Sequence, residues 1–305
     1  MESIMQQSLV NSQIEAIVHD GYTIIEDVLE PERVDAIGKR VREIEKETLI
    51  GSKGETPLDR SSLLRTEGLL QLDPLFREIP ILPDLLPVIQ GILGAECQLT
   101  AFSAIDMLPG KNEEAIHSDD AAVPLPRPHQ PVICTCMIAI DDFTAKNGAV
   151  RLLADSHKMV GLPDHATDRH EIDGMITAEM PAGSVVVFDG AVLHHEADNE
   201  SDRPRLALEI LYCAPWMRTF TNFFLSIPED EVMKYQQPLM ELIGYRDFDR
   251  IKRNRFGDRR FGSYRESYGQ LRRARLGAWS EERQAKPGLA TDDSGEGRSK
   301  RVESN

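Results

Sequence analysis

The apolar positions along this chain change period once. Up to about residue 96 they recur at helical spacing. Ile14, Ile17 and Val18 follow a capping-box pair, Ser12 and Glu15, and Gly21 closes that predicted helix. "GYTIIEDVL" predicts a strand, and "EPER" sets Pro31 at a first helical position. Val34, Ile37, Val41 and Ile44 then recur every three or four residues, and a second helical patch lies near "PDLLPVIQGILG". From about Cys97 the runs become β-type: "CQLTAFSAIDM", "PVICTCMIAI", "AVRLL", "ITAEM", "SVVVFDG" and "RLALEILYC", punctuated by Pro, Gly, Asn and Asp. Short strands at that spacing predict a mostly β fold of the jelly-roll kind, with helices packed outside.

The apolar pattern fades after about Phe248. An Arg-rich stretch follows, then "KPGLATDDSGEGRSKRVESN", which lacks the apolar content to fold alone. The expected organisation is one domain over 1–248, with residues 1–96 mostly helical and residues 97–220 forming a jelly-roll core. Residues 249–305 form a tail expected to be disordered. With 305 residues the chain has ample length for a buried core, and its charge of 35 − 51 = −16 would repel phosphate backbones, which argues against a nucleic-acid partner. No apolar run approaches a membrane span, and the N-terminus lacks the order of a secretion signal. Four cysteines scattered over a long chain fit a reducing, cytoplasmic setting better than a disulfide framework. Cys134 and Cys136 could be half of a zinc site, but without a second pair they read as small buried strand residues.

The chemistry concentrates in two places. "EEAIHSDDAAVPLPRPHQ" holds His117 and Asp119, the chain's one H-x-D. Residues i and i+2 of an extended strand share a side, so the pair can offer two ligands to a metal, or it can be a polar turn. "SVVVFDGAVLHHEADNESDRPRLALEILYC" holds His194 and His195 at the edge of an apolar strand, where an imidazole is costly to bury without a partner. Two imidazoles and one carboxylate leave open positions on iron for a chelating co-substrate and dioxygen. On the last strand Arg205, Ala207 and Glu209 share a face opposite Leu206, Leu208 and Ile210. If the aliphatic face lies under helices, Arg205 points into the barrel. There it would receive a dicarboxylate or pair with Glu209 or another acid.

These motifs resemble the phytanoyl-CoA dioxygenase-like family of non-haem Fe(II)/2-oxoglutarate oxygenases. The resemblance runs from "IEAIVHDGYTIIEDVLEPERVDAI" to about "MELIGY", with "HSDD…PLPRPHQP", "AIDDFTAKNGAVRLLADSHK" and "AGSVVVFDGAVLHH" in the family's order. It implies a double-stranded β-helix, a cupin-like barrel under an N-terminal helical layer. It also implies iron held by His117, Asp119 and His194, which are then the catalytic centre. His194 precedes Arg205 by 205 − 194 = 11 residues, the family's step from distal histidine to oxoglutarate-binding arginine, with Asn199, Ser201 and Pro204 in register. By the same resemblance Thr135 and Ser201 join Arg205 in binding the co-substrate. The chain departs from the family pattern at Glu114, where Gln is common, at Val150, where Thr is common, and at Asp155, where Gly is common.

The function implied is oxidation, by default hydroxylation, of a small organic molecule, using Fe(II), 2-oxoglutarate and O₂ and releasing succinate and CO₂. A metal-dependent hydrolase on the same His/Asp/His site, or a non-catalytic ligand-binding barrel, are the alternatives. A homodimer is open. Substrate choice would fall to loops at the barrel mouth, such as "LDRSSLLRTEG" and "LPRPHQP", and to "WMRTFTNFF", whose Trp216, Phe220, Phe223 and Phe224 could line an apolar pocket or serve ordinary packing or a subunit contact.

Overall fold

The structure is a computed structural model that describes residues 2–51, 63–110, 114–161 and 172–245. The expectations for 249–305 lie outside the described residues. In chain order the elements are α1 (Glu2–Asp20), β1 (Tyr22–Ile25), α2 (Pro31–Gly51), β2 (Leu63–Glu67), α3 (Leu69–Leu72), α4 (Leu86–Leu93), β3 (Gln98–Met107), β4 (Ile133–Ala139) and β5 (Val150–Leu152). They continue with β6 (Ile176–Thr177), β7 (Val185–Asp189), β8 (His194–Glu196), β9 (Arg205–Cys213), α5 (Phe223–Ser226), α6 (Glu229–Val232) and α7 (Gln237–Leu242).

The strands form two antiparallel sheets, one of order β1-β7-β4-β9-β3-β2 and one of order β6-β5-β8. Alternation along β9 shows how they are used. Leu206, Leu208, Ile210 and Tyr212 join Ile37, Val41, Val88 and Ile89 in a core between the larger sheet and the helices. Ala207, with Ile105, Met137, Val186 and Phe188, meets Val150 and Leu152 of the smaller sheet in a second core. The two sheets thus face each other as the walls of a jelly roll, with helices behind one wall. Cys134 and Cys136 point to the helix side, both buried and neither in a disulfide.

Two expectations need correcting. α1 starts at Glu2, so Ser12 is inside the helix, where its hydroxyl donates to Leu9 O (2.8 Å) instead of capping an N-terminus. Gly21 does end it, with φ +91° and its N–H on Ile17 O (2.9 Å). "LDRSSLLRTEG" is not all loop: Leu63–Glu67 is an edge strand paired with β3 from Leu63↔Met107 to Glu67↔Ser103.

Candidate metal centre

The larger sheet's chain crosses to the smaller one around β7 and β8. β7 ends at Asp189, a tight turn follows, and β8 pairs with β5 at Leu152↔His194 and Val150↔Glu196. On the other side of β8, His117 and His194 exchange both backbone hydrogen bonds (2.9 Å each). His117 is therefore a bridge residue and not part of a strand. Ser118 is extended, and Asp119 opens a 3-10 turn through Ala122. The i, i+2 relation still brings both side chains to one side.

His117 Nε2 lies 3.9 Å and His194 Nε2 3.7 Å from Asp119 Oδ1, and the three donor atoms fall within 4.8 Å of one another. Donor atoms that share one ion at about 2.1 Å lie ~3 Å apart, so each imidazole needs to close on Asp119 Oδ1 by under ~1 Å. The ring nitrogens are already sorted. His117 Nδ1 donates to Ala115 O (3.0 Å) and His194 Nδ1 to Val192 O (2.9 Å). A carbonyl can only accept, so each neutral ring presents its Nε2 lone pair to the centre. Thr135, on β4, donates its hydroxyl to Asp119 Oδ2, which leaves Oδ1 toward the imidazoles. Phe188 packs on His194 with centroids 4.7 Å apart. This donor set fits a divalent ion such as iron.

Behind Asp119 stands a brace that the sequence did not announce. Arg127 Nη1 donates to Ser118 Oγ (3.2 Å) and Asp120 Oδ1 (3.1 Å), while its Nη2 reaches Ser156 O (3.1 Å) and Ala191 O. His129 Nε2 lies 2.9 Å from Asp120 Oδ2. "PLPRPHQP" thus clamps the segment that carries His117 and Asp119. Ser156 Oγ also accepts from Leu193 N (2.8 Å), tying the same brace to the start of β8.

A cavity of about 370 Å³ opens over the triad. Thr135, Met137, Phe188, Leu211 and Phe220 line it, together with Arg65 and the carboxylates of Glu67, Glu114, Asp119, Glu196 and Glu209. Its size suits a small organic molecule. Arg65 and Glu67 come from β2, the strand that sequence periodicity missed; nothing in "SSLLRTEG" alternates cleanly enough to signal it. Arg65 pairs with Glu209 and also donates to Ser103 Oγ (2.9 Å). Of the four aromatic candidates, Phe220 lines the cavity, Phe223 is buried in the helix-side core, and Trp216 and Phe224 are exposed.

Arg205 is on the inward face of β9, as the alternation predicted, and is 0% exposed. Its Nη2 donates to Glu196 and to Gly148 O (2.6 Å), and its guanidinium lies 4.4 Å over the Phe143 ring. Among the described residues its Nε and Nη1 have no hydrogen-bond partner. Orphaned guanidinium N–H groups in a buried site are what a ligand carboxylate would satisfy. The internal acid on Arg205 is Glu196, while Glu209 is taken by Arg65. Burial pushes the Glu196 carboxyl up to about 7, with Glu114 adding to the rise and Arg205 opposing it. Glu114 turns its Oε2 onto the Glu196 backbone N–H (2.9 Å). Ser201 is not in the cavity wall: its hydroxyl bonds Asn199 Oδ1 (2.6 Å) and Arg203 O (2.9 Å). With buried Asn199, it shapes the loop into β9. His195 points away from the triad, its Nδ1 on Glu196 O (3.1 Å).

Known proteins share this architecture. Residues 17–207 match the family Phytanoyl-CoA dioxygenase (PhyH). Dioxygenase af480 of Aspergillus fumigatus is 31% identical over 59% of this chain, and the match spans 58% of that relative's length. The Fe(II)/2-oxoglutarate-dependent dioxygenase nvfF of Aspergillus novofumigatus is 27% identical over 76% of this chain and 80% of its own. Among solved structures, the non-heme alpha ketoglutarate dependent epimerase SnoN from nogalamycin biosynthesis superposes with a TM-score of 0.54 at 16% identity. That match covers 68% of this chain and 82% of that one, and it bears on the fold alone. The chain belongs to the phytanoyl-CoA dioxygenase family.

Proposed function

We propose that this chain is an Fe(II)- and 2-oxoglutarate-dependent oxygenase that oxidises, by default hydroxylates, a small organic molecule. The observation that carries the reading is the convergence of His117 Nε2, His194 Nε2 and Asp119 Oδ1, with both histidine tautomers set by backbone carbonyls. Iron and 2-oxoglutarate, when bound there, supply O₂ activation, with the oxo acid converted to succinate and CO₂ as one oxygen atom goes to the substrate.

The chain's own residues do the positioning. The Nδ1–H bonds hold the imidazole planes, Thr135 holds the far oxygen of Asp119, and the Arg127 brace holds the segment between. Arg205, just behind the cavity wall, would offer the far carboxylate of the oxo acid its Nε and Nη1, which have no hydrogen-bond partner among the described residues. The cavity beside the triad leaves room for a substrate, against which Met137, Phe188, Leu211 and Phe220 offer apolar contact. Within this reading His117, Asp119 and His194 are the catalytic centre and residues 1–248 the working domain. No disulfide joins the described cysteines, which supports a reducing, cytoplasmic setting. No described helix is long and apolar enough to cross a membrane.

A screen of small metabolites with Fe(II), O₂ and 2-oxoglutarate, read by succinate release, tests the proposal. Succinate formed in step with an oxidised product supports it. Hydrolysis products that need the metal but not 2-oxoglutarate would overturn it in favour of a hydrolase.

A further inference from the structure

Arg205 is already engaged by a carboxylate of its own chain. The guanidinium is wholly buried and is not part of the cavity wall, whereas Glu196, which holds its Nη2, is. Glu196 is not a mobile surface acid. It sits at the end of β8, paired with Val150 of β5, and its backbone N–H is fixed by Glu114. Phe143 covers a face of the guanidinium and Gly148 O takes a second N–H of the same Nη2. Gly148 cannot grow a side chain to alter this, since a Cβ there would lie 2.9 Å from Ala197 O.

A dicarboxylate that reaches Arg205 therefore meets a guanidinium whose Nη2 is already held by the chain's own carboxyl group. It must share the guanidinium with Glu196, or turn Glu196 away toward Glu114, which is also a carboxylate. Both routes reduce what the ligand's second carboxylate gains from the arginine. We propose that Glu196 is an internal competitor for Arg205. It weakens binding of 2-oxoglutarate and removes most of that molecule's advantage over 2-oxo acids with a single carboxylate. Glu196 is thus a specificity-determining residue for the co-substrate, and the inference rests on the role assigned to Arg205 under the proposed function.

The test is a calorimetric titration of the full chain loaded with Ni(II), a divalent stand-in for iron that does not activate O₂. 2-Oxoglutarate and 2-oxobutanoate are compared, the second having the same oxo-acid end and no far carboxylate. A fully available guanidinium would favour the dicarboxylate by ~100-fold or more, since two charge-assisted hydrogen bonds are at stake. In the wild type the preference is expected to stay below ~10-fold. Glu196→Gln should tighten 2-oxoglutarate at least ~10-fold while leaving 2-oxobutanoate within ~3-fold, and Arg205→Met added to it should abolish the gain. A wild-type preference of ~100-fold, or a Glu196→Gln protein with an unchanged preference, overturns the proposal. Should Glu196→Gln fail to fold, the wild-type ratio alone decides. If neither oxo acid binds the Ni(II)-loaded wild type or variant at millimolar concentration, 2-oxo-acid dependence itself falls, and the competitor role with it.

Discussion

Glu45 lies on α2 with 7% exposure, facing Asp106 of β3 across the helix-side layer. Its Oε1 has no hydrogen-bond partner among the described residues. Burial, then repulsion from Asp106, push its pKa from 4.5 to about 7, against the opposing pull of Arg42 and a hydrogen bond with Thr66. The folded protein thus holds a proton on Glu45 that the unfolded chain releases near 4.5. Between those values the native state binds more protons, so stability falls as pH rises. The contribution is whole below about pH 4.5 and lost by the time pH passes 7. The size follows from 7 − 4.5 = 2.5 pH units, or about 3 kcal/mol. Glu45→Gln keeps the shape of the protonated acid and cannot titrate. Its gain over wild type should grow from under ~1 kcal/mol at pH 5 to about 3 kcal/mol at pH 8, or ~6–12 °C in Tm. Urea unfolding of both proteins at pH 5, 6, 7 and 8 measures this, and the remaining carboxylates largely cancel in the difference. A difference that stays flat across that range refutes the argument.

Thr135→Val removes the hydroxyl that holds Asp119 Oδ2 without changing side-chain volume much, so metal affinity should fall ~10-fold or more at unchanged fold, measured by chelator competition. Gly21→Ala places a Cβ 2.6 Å from Val192 Cγ2 and 2.7 Å from His157 Nδ1 at φ +91°. It should cost ~2 kcal/mol or more by denaturant unfolding. Truncation after Gly277 should leave the turnover rate with saturating substrate nearly unchanged, because the residues beyond carry almost no apolar periodicity.

Much of the frame was legible because burial and period coincide. β9 shows this best: Leu206, Leu208 and Ile210 lie under helices, which put Arg205 and Glu209 inside as expected. The partner of Arg205 was not legible, for a connected reason. Glu209 was a candidate because its usual claimant, Arg65, belongs to β2. Among the described residues that strand pairs with only one neighbour, and it turns Arg65 and Glu67 to a polar cavity, so it carries no apolar alternation. Without Arg65 in view, nothing freed Glu209 from Arg205, or pointed to Glu196 across the intervening loop. The start of α1 was missed similarly. Ser12 and Glu15 have capping-box spacing, but the pattern has the same look inside a helix, where Ser12 bonds back to Leu9. The Arg127 brace was invisible because its acceptors at Ser156 and Ala191 come from distant segments.

The central claim is that His194, not its neighbour, completes an iron site with His117 and Asp119 to which 2-oxoglutarate binds. Strand alternation sends His194 to Asp119 and His195 to the other side of β8. The direct measurement is an anaerobic titration of Fe(II)-loaded protein with 2-oxoglutarate, following the visible charge-transfer absorption of the chelated oxo acid beside quantified iron. The account predicts about one iron per chain and the absorption in wild type and in His195→Ala, and loss of both in His194→Ala. Iron and absorption retained in His194→Ala but lost in His195→Ala would contradict it.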